Sequence, residues 1–364
     1  MATKAPVRFD PSVEDVKPNE GEVIQDLEHS FKQILDTTSE DYQHAVRSVH
    51  AKAHGIAKGT FTVHGDLPAE LAQGLFARAG EYETIVRIST NPGDILDDSI
   101  SVPRGFAIKV IGVEGERLPG AEGDVTQDFI LVNGPVFAAP TAEAFGKNLK
   151  LLASTTDKAE GGKKLLSGVL QALNAPLVAL GMESSKLSQM GGAPNVHPLG
   201  ETYYSQTPFR FGDYIAKFAL KPVSKTMTEL TGDTVDTTDR PDALREVVNE
   251  VIQSQGGTWE FQVQLNRDLD DMPVEDPTQE WSEKDSPYVT VATLTVPHQI
   301  SWEHQASDKV DDALSYNIWH GLAAHRPLGN VNRARNDPYK FSADYRGRYN
   351  GCPMHEPRAL SDLP

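Results

Sequence analysis

Residues 332–339 read Asn-Arg-Ala-Arg-Asn-Asp-Pro-Tyr, which sets Arg335 four residues before Tyr339. Four residues is close to one helical turn, so the guanidinium can lie over the phenol oxygen on a shared face. A cation held there favours the phenolate. Few functions need a phenolate, and ligation of ferric iron is one of them. Alone, the pair has a plainer explanation: a surface arginine and a half-buried tyrosine near a helix start. Asp337 suits the cap of such a helix and Pro338 its first position. If 335–346 is helical, Arg346 joins the stripe, because offsets of 4 and 11 residues lie close to whole turns.

Three further stretches carry side chains capable of chemistry. Residues 47–55, Arg-Ser-Val-His-Ala-Lys-Ala-His-Gly, hold Arg47, His50 and His54. The two histidines are expected to share a face, and a zinc pair is the first guess. There is no HExxH and no helix-forming context, however, and Gly55 and Gly59 fit a turn into a strand. In Val-Arg-Ile-Ser-Thr at 86–90, strand geometry points Arg87 and Ser89 to one face together with Ile85. If that face is buried, Arg87 needs an anionic partner, because an unpaired buried charge is costly. Asn133 ends a strand-like run, and Phe137 follows the turn proline Pro135.

The elements that must position these residues are mostly strands. Alternation or β-branched runs predict strands within 55–65 and over 82–90, 105–113, 128–134, 213–222, 259–265 and 288–296. Helices are expected from about 21 to 38, over 141–182 with an interruption at Gly161-Gly162, and from Pro241 to the Gly256-Gly257 pair. Residues 1–20 read as an extended or loosely held arm, and the C-terminal 65 as short polar helices and loops. Strand and helix do not alternate regularly, which argues against a doubly wound sheet. The fold class expected is α+β: one antiparallel β-barrel of about eight strands with inserted and C-terminal helices, in a single domain over 1–364. The barrel with its inserted helices is expected over about 47–296, and the C-terminal helices and loops over 297–364.

Bulk properties narrow the partners. A formal net charge of −18 over 364 residues repels phosphate backbones and anionic lipids, so no nucleic-acid partner is expected. No apolar run approaches the roughly 20 residues of a transmembrane helix, and residues 1–20 lack the apolar core of a secretory signal. Cys352 is the only cysteine, so an intrachain disulfide and a cysteine-rich metal site are both excluded. A cytoplasmic setting is the expectation.

Taken in order, the chain has Arg-x-x-His at 47–50, Val-Arg-Ile-Ser-Thr at 86–90 and Arg-Gly-Phe-Ala-Ile-Lys at 104–109. Asn-Gly-Pro-Val-Phe follows at 133–137, then a run at 275–294, and last Arg-x-x-x-Tyr at 335–339. This succession resembles the catalase family of haem proteins, over about 47–346. More narrowly, it is similar to small catalase-related proteins that keep the haem-binding barrel without additional C-terminal domains. The resemblance implies a haem b cofactor with Tyr339 as the axial tyrosinate to iron and Arg335 as the arginine that keeps its oxygen deprotonated. It implies His50 as the distal acid–base, supported by Ser89, with Asn133 as the distal hydrogen-bond donor. Val49 and Phe137 match haem-lining positions, and Arg47, Arg87 and Arg346 match the propionate-binding arginines.

The chain departs from that pattern in three places. One extra residue separates His50 from the Gly59-x-Phe61 strand, which makes His54 a rival distal base, although Arg47 and Val49 flank His50 as the pattern requires. Gln206 stands where catalases carry a histidine near the proximal side, and 112–127 is longer, with an added surface hairpin expected. The implied activity is a haem peroxidase or catalase-like oxidoreductase. It would use hydrogen peroxide or an organic hydroperoxide with a small-molecule or lipid-derived reductant, in a chain that can form a homo-oligomer. Two other readings follow the same resemblance. One is rearrangement of a lipid hydroperoxide, as in catalase-fold allene oxide synthases, against which Val49 stands where those enzymes have threonine. The other is a haem carrier without turnover, which needs no distal proton relay.

Overall fold

The alternating segments become nine strands in a computed structural model that describes residues 4–153, 194–352 and 354–364. They are β1 (Ala53–Val63), β2 (Gly80–Thr90), β3 (Arg104–Ile111), β4 (Thr126–Asn133) and β5 (Tyr203–Tyr204), then β6 (Phe209–Phe211), β7 (Tyr214–Pro222), β8 (Gly257–Leu265) and β9 (Val289–Val296). Eight of them, β1–β2–β3–β4–β5–β7–β8–β9, form a closed antiparallel ring, and β6 pairs with β7 on one edge and with residues 324–328 on the other. The ring closes through two residues: Tyr203 and Tyr204 pair with Asn133 and Val132 on one side and with Leu220 and Ala219 on the other. A strand that short has no periodicity by which a sequence could reveal it.

Register decides what faces inward. Val86, Ile108 and Phe129 lie across from one another, as do Ile88, Phe106 and Leu131, and both rows are buried. Phe61, Phe129, Phe218 and Phe261, from strands around the ring, meet Phe76 and Phe211 with ring centroids 4.7 to 6.4 Å apart. Side chains from opposite walls in contact leave a packed barrel interior, each buried ring contributing roughly 1.5–3 kcal/mol. The alternate rows, Arg87–Ala107–Ile130 and Ser89–Gly105–Val132, therefore face outward. That outer face is covered by helices, which is why Arg87 is buried.

Three helices lie together beside this face: α1 (Glu20–Tyr42), α2 (Ala142–Ala153) and α6 (Asn330–Tyr349). Among the described residues the intervening helices are α3 (Lys225–Glu229), α4 (Ala243–Gln255) and α5 (Ala306–Ala313). Leu27, Phe31 and Ile34 of α1 bury against Ala142 and Leu149 of α2 and Ala334 of α6. The expected 141–182 helix starts as α2, and its Gly161-Gly162 interruption lies outside the described residues. Among the described residues no helix is long and apolar enough to cross a membrane.

Several expectations need correction. The Asp337-Pro338 pair does not open a helix: α6 begins at Asn330 and runs through Pro338, so the C-terminal region holds a 20-residue helix as well as short ones. Proline inside a helix removes one hydrogen bond; here Val331, Ala334 and Pro338 are buried, and that packing carries the helix past it. Residues 112–125 form no added hairpin. They dock on 321–323 through Leu118 N–H to Gly321 O (3.0 Å) and Ala323 N–H to Glu116 O (2.8 Å), with Leu118 buried.

The N-terminal arm is extended but firmly held. Val7, Phe9 and Val13 pack against a cluster containing Ile215, Met272, Trp281 and Leu328. Beyond them Arg333 of α6 binds three carboxylates: Glu14 at 2.6 Å, Glu20 at 2.7 Å and Glu275 at 2.9 Å. The arm, the 275 loop and the first turn of α6 thus meet at one guanidinium. Arg333→Met would leave those acids facing one another in a partly buried place. A stability loss of about 3–5 kcal/mol is expected in chemical denaturation, and a loss under about 1 kcal/mol would show that the cluster holds nothing together.

Candidate active site

Between the outer face of β2–β4 and α6 lies a cavity of about 340 Å³, continuous in its lining with a second of about 160 Å³; Val49, His50, Ile130 and Tyr339 line both. The larger part is bounded by Arg47, Arg87 and Arg346, the smaller by Leu27, Phe31, Phe137 and Phe145. One end is cationic and the other apolar. Gly105 and Ala107 supply a floor with almost no side chain.

His50 stands on one side of this space. Its backbone takes a left-handed φ of 56°, and its N–H bonds to Asn91 O at 2.7 Å. The ring Nδ1 lies 3.1 Å from Ser89 Oγ. A side chain at Gly105 would collide with the imidazole, since a Cβ there would sit 2.6 Å from its Cε1 and 2.7 Å from its Nδ1. Burial, with Arg87, Arg335 and Arg47 adding repulsion, lowers the His50 pKa to about 3, so the imidazole is neutral at neutral pH. The loop that carries it is laced to α6: Asn350 bonds both ways with Ala45, at 2.8 and 2.9 Å, and Ser48 N–H reaches Ser342 Oγ at 3.3 Å.

Tyr339 stands on the other side, on α6. Arg335 Nη2 donates to its phenol oxygen at 3.2 Å, with the guanidinium carbon 5.1 Å from the ring centroid. The one-turn spacing therefore produces the expected contact. Arg335 Nη1 lies 3.4 Å from Asn332 Oδ1, which is 2.9 Å from Thr207 Oγ1. Sequence reasoning misses Asn332 and Thr207; the i, i+3 offset of Asn332 from Arg335 is the one local signal. Gln206 lines the smaller cavity together with Tyr339 and Arg335, and its amide donates to Gly134 O (3.1 Å) and Val136 O (2.7 Å), which braces the loop after Asn133.

Asn133 lines the apolar end, its Oδ1 accepting from Arg104 N–H at 2.7 Å and its Nδ2 donating to Glu201 at 2.8 Å. Phe137 packs on Phe145 with centroids 5.3 Å apart. His54 is elsewhere: it lies fully buried on β1, lines neither cavity, and neither ring nitrogen has a hydrogen-bond partner among the described residues. The two histidines do not share a face. His50 precedes the strand in a left-handed conformation, and β1 has a register shift between Ala53 and Gly55, so simple alternation does not link them.

The three arginines converge. Arg87 grips both oxygens of Asp311 (Nε 2.7 Å, Nη2 3.0 Å), and Arg47 takes one of them at 2.6 Å. Arg47 and Arg346 also donate to Leu314 O, at 2.8 and 3.0 Å, where the carbonyls of α5 run out. Burial works against ionisation of Asp311, but Arg47 and Arg87 hold its carboxyl well below the usual range. Sequence reasoning also misses Asp311, because the acid-rich helix around it reads as a solvated surface.

Past the arginines the cavity reaches His320 and Glu356. Glu356 and Asp128 enclose Lys109 (2.6 and 2.7 Å), and His320 Nδ1 lies 3.2 Å from Glu356 and 3.4 Å from Asp128. Burial opposes a charge on His320, but the two carboxylates close to it outweigh that and raise its pKa to about 9. An unfolded histidine titrates near 6.5. The stabilisation is therefore complete below that pH and is lost as pH rises through about 9. Melting temperature is expected to fall between pH 6.5 and 9.5 by more in the natural chain than in His320→Gln. Parallel curves would contradict the assignment.

No family model matches the chain, and no curated protein sequence matches it. Solved structures do. Catalase A from Saccharomyces cerevisiae superposes with a TM-score of 0.58 at 17% identity, covering 88% of this chain and 66% of that one. A fungal catalase gives 0.59 at 18%, covering 88% and 63%. A bacterial catalase gives 0.58 at 16%, covering 90% and 63%. The chain has a catalase-like fold and spans about two thirds of the length of those proteins.

Proposed function

We propose that the chain is a haem-dependent peroxidase or catalase-like oxidoreductase acting on hydrogen peroxide or an organic hydroperoxide. The observation that carries this reading is a neutral imidazole and an arginine-bonded phenol bounding one cavity, with three guanidiniums at one end of it. The residues present fit a haem. Gly105 and Ala107 leave a floor for a flat ring, Phe137 and Val49 with Phe31 supply apolar contacts, and Arg47, Arg87 and Arg346 suit the propionates. Arg346 Nε has no partner among the described residues, a buried donor that a carboxylate would satisfy. Tyr339 would hold the haem iron in this reading, and the bound group would supply the redox chemistry that reduces a peroxide.

The remaining work falls to side chains. Arg335 donates to the Tyr339 oxygen and fixes its position, while Asn332 and Thr207 hold Arg335 in place. His50 takes the proton from the inner peroxide oxygen and returns it to the outer one, which departs as water or an alcohol. Ser89 accepts from Nδ1–H of the imidazole, leaving the Nε2 lone pair toward the peroxide. Asn133 has one N–H uncommitted among the described residues and offers it to the peroxide. The apolar end, with Leu27, Phe31 and Phe145, suits the organic group of a hydroperoxide or a lipid-derived reductant.

The test compares the two histidines. A positioned acid–base group contributes on the order of 10² to 10⁴ in rate. With haem bound, His50→Ala is expected to slow the reaction with peroxide by about that factor in stopped-flow mixing. His54→Ala is expected to change it by less than about tenfold, or roughly 1.4 kcal/mol. A crippled His54→Ala would mean that the distal assignment is wrong. If neither variant slows, the chain is a haem carrier rather than an enzyme.

A further inference from the structure

The arginine cluster contains a carboxylate of its own. Arg47, Arg87 and Arg346 all line the cavity, whereas Asp311 does not and binds Arg47 and Arg87 from behind. Arg346 has no carboxylate in bonding distance among the described residues; it donates to Leu314 O, to the Met354 sulfur and, at 3.5 Å, to the backbone carbonyl of Asp311. The neighbouring Asp312 is turned away toward His44, at 3.0 Å. Three guanidiniums thus stand beside one carboxylate that bonds two of them, which leaves about two positive charges facing the cavity. Burying that much charge uncompensated is costly, so the chain alone needs Asp311.

The same geometry has a second effect. The Nε and Nη2 of Arg87 and both terminal nitrogens of Arg47 are taken by Asp311, Ala51 O and Leu314 O. Arg87 Nη1, Arg47 Nε and Arg346 Nε make no hydrogen bond among the described residues, and are the donors open to a ligand. A carboxylate that binds them shares its guanidiniums with Asp311 and is repelled by it across a short, poorly solvated distance. We propose that Asp311 is an internal counter-ion that competes with the ligand's carboxylates for the arginines. It stabilises the chain before the ligand is taken up and holds down the affinity for free propionates. The proposal rests on the haem reading above.

Two probes separate this role from simple structural support: haem, and haem dimethyl ester, which has the same ring with both carboxylates masked. Asp311→Asn is expected to melt at a lower temperature without haem. The same variant should bind haem roughly tenfold tighter than the natural chain while its affinity for the ester moves by less than about threefold. Loss of affinity for both probes would make Asp311 structural only and overturn the proposal, as would an unchanged affinity for haem. If the variant does not fold alone, refolding with each probe separates the same two roles. Rescue by haem and not by the ester supports the proposal, and equal rescue by both or by neither overturns it. A natural chain that binds neither probe would fail the haem reading itself, an outcome distinct from all of these.

Discussion

Arg47, Arg87 and Arg346 bring three guanidiniums together beside the barrel wall, two of them buried. Charge of that density is tolerated only where carbonyls, a carboxylate or a charged ligand answer it. The groups that answer it here come from distant parts of the chain: Asp311 and Leu314 at the end of α5, Ala51 at the entry to β1, and the arginines themselves from a loop, a strand and α6. Meeting that demand draws the loop carrying His50, the barrel wall and α6 together. His50 and Tyr339 lie three and seven residues from Arg47 and Arg346, so the clamp that gathers the arginines also sets the two groups on opposite sides of one cavity.

The barrel contributes by having a face that is neither core nor solvent. Its interior is filled with phenyl rings and offers no room, so chemistry is displaced to the outside of β2–β4. Small side chains there meet a helix across a gap. Gly105 does the most specific work, because its missing side chain is what admits the imidazole. The N-terminal arm and the Glu275 loop, joined at Arg333, hold the start of α6 and so fix where that gap ends.

Much of this is legible in the sequence, for physical reasons. Period-two patterning gives Arg87 and Ser89 a common face because a strand leaves no other choice, and one-turn spacing joins Arg335 to Tyr339. The missing parts are those with no local signal. Tyr203 and Tyr204 close the barrel with two residues, too few to show a period. Pro338 reads as a helix start because propensity cannot register the packing that carries α6 through it. His50 and His54 are expected on one face, but a left-handed backbone held by Asn91 O, a contact made in three dimensions, sets the first apart. Asp311 pairs with residues more than two hundred positions away, and composition alone makes it one surface acid among many.

In the proposed function Tyr339, bonded by Arg335, is the group that holds haem iron. The absorption spectrum of the purified chain titrated with haem, beside that of Tyr339→Phe, tests it most directly. A tyrosinate-ligated, high-spin ferric spectrum is expected for the natural chain, with weak or no stable binding by the variant, which should remain folded. An unchanged haem spectrum in Tyr339→Phe, or a histidine-ligated low-spin spectrum in the natural chain, would contradict it.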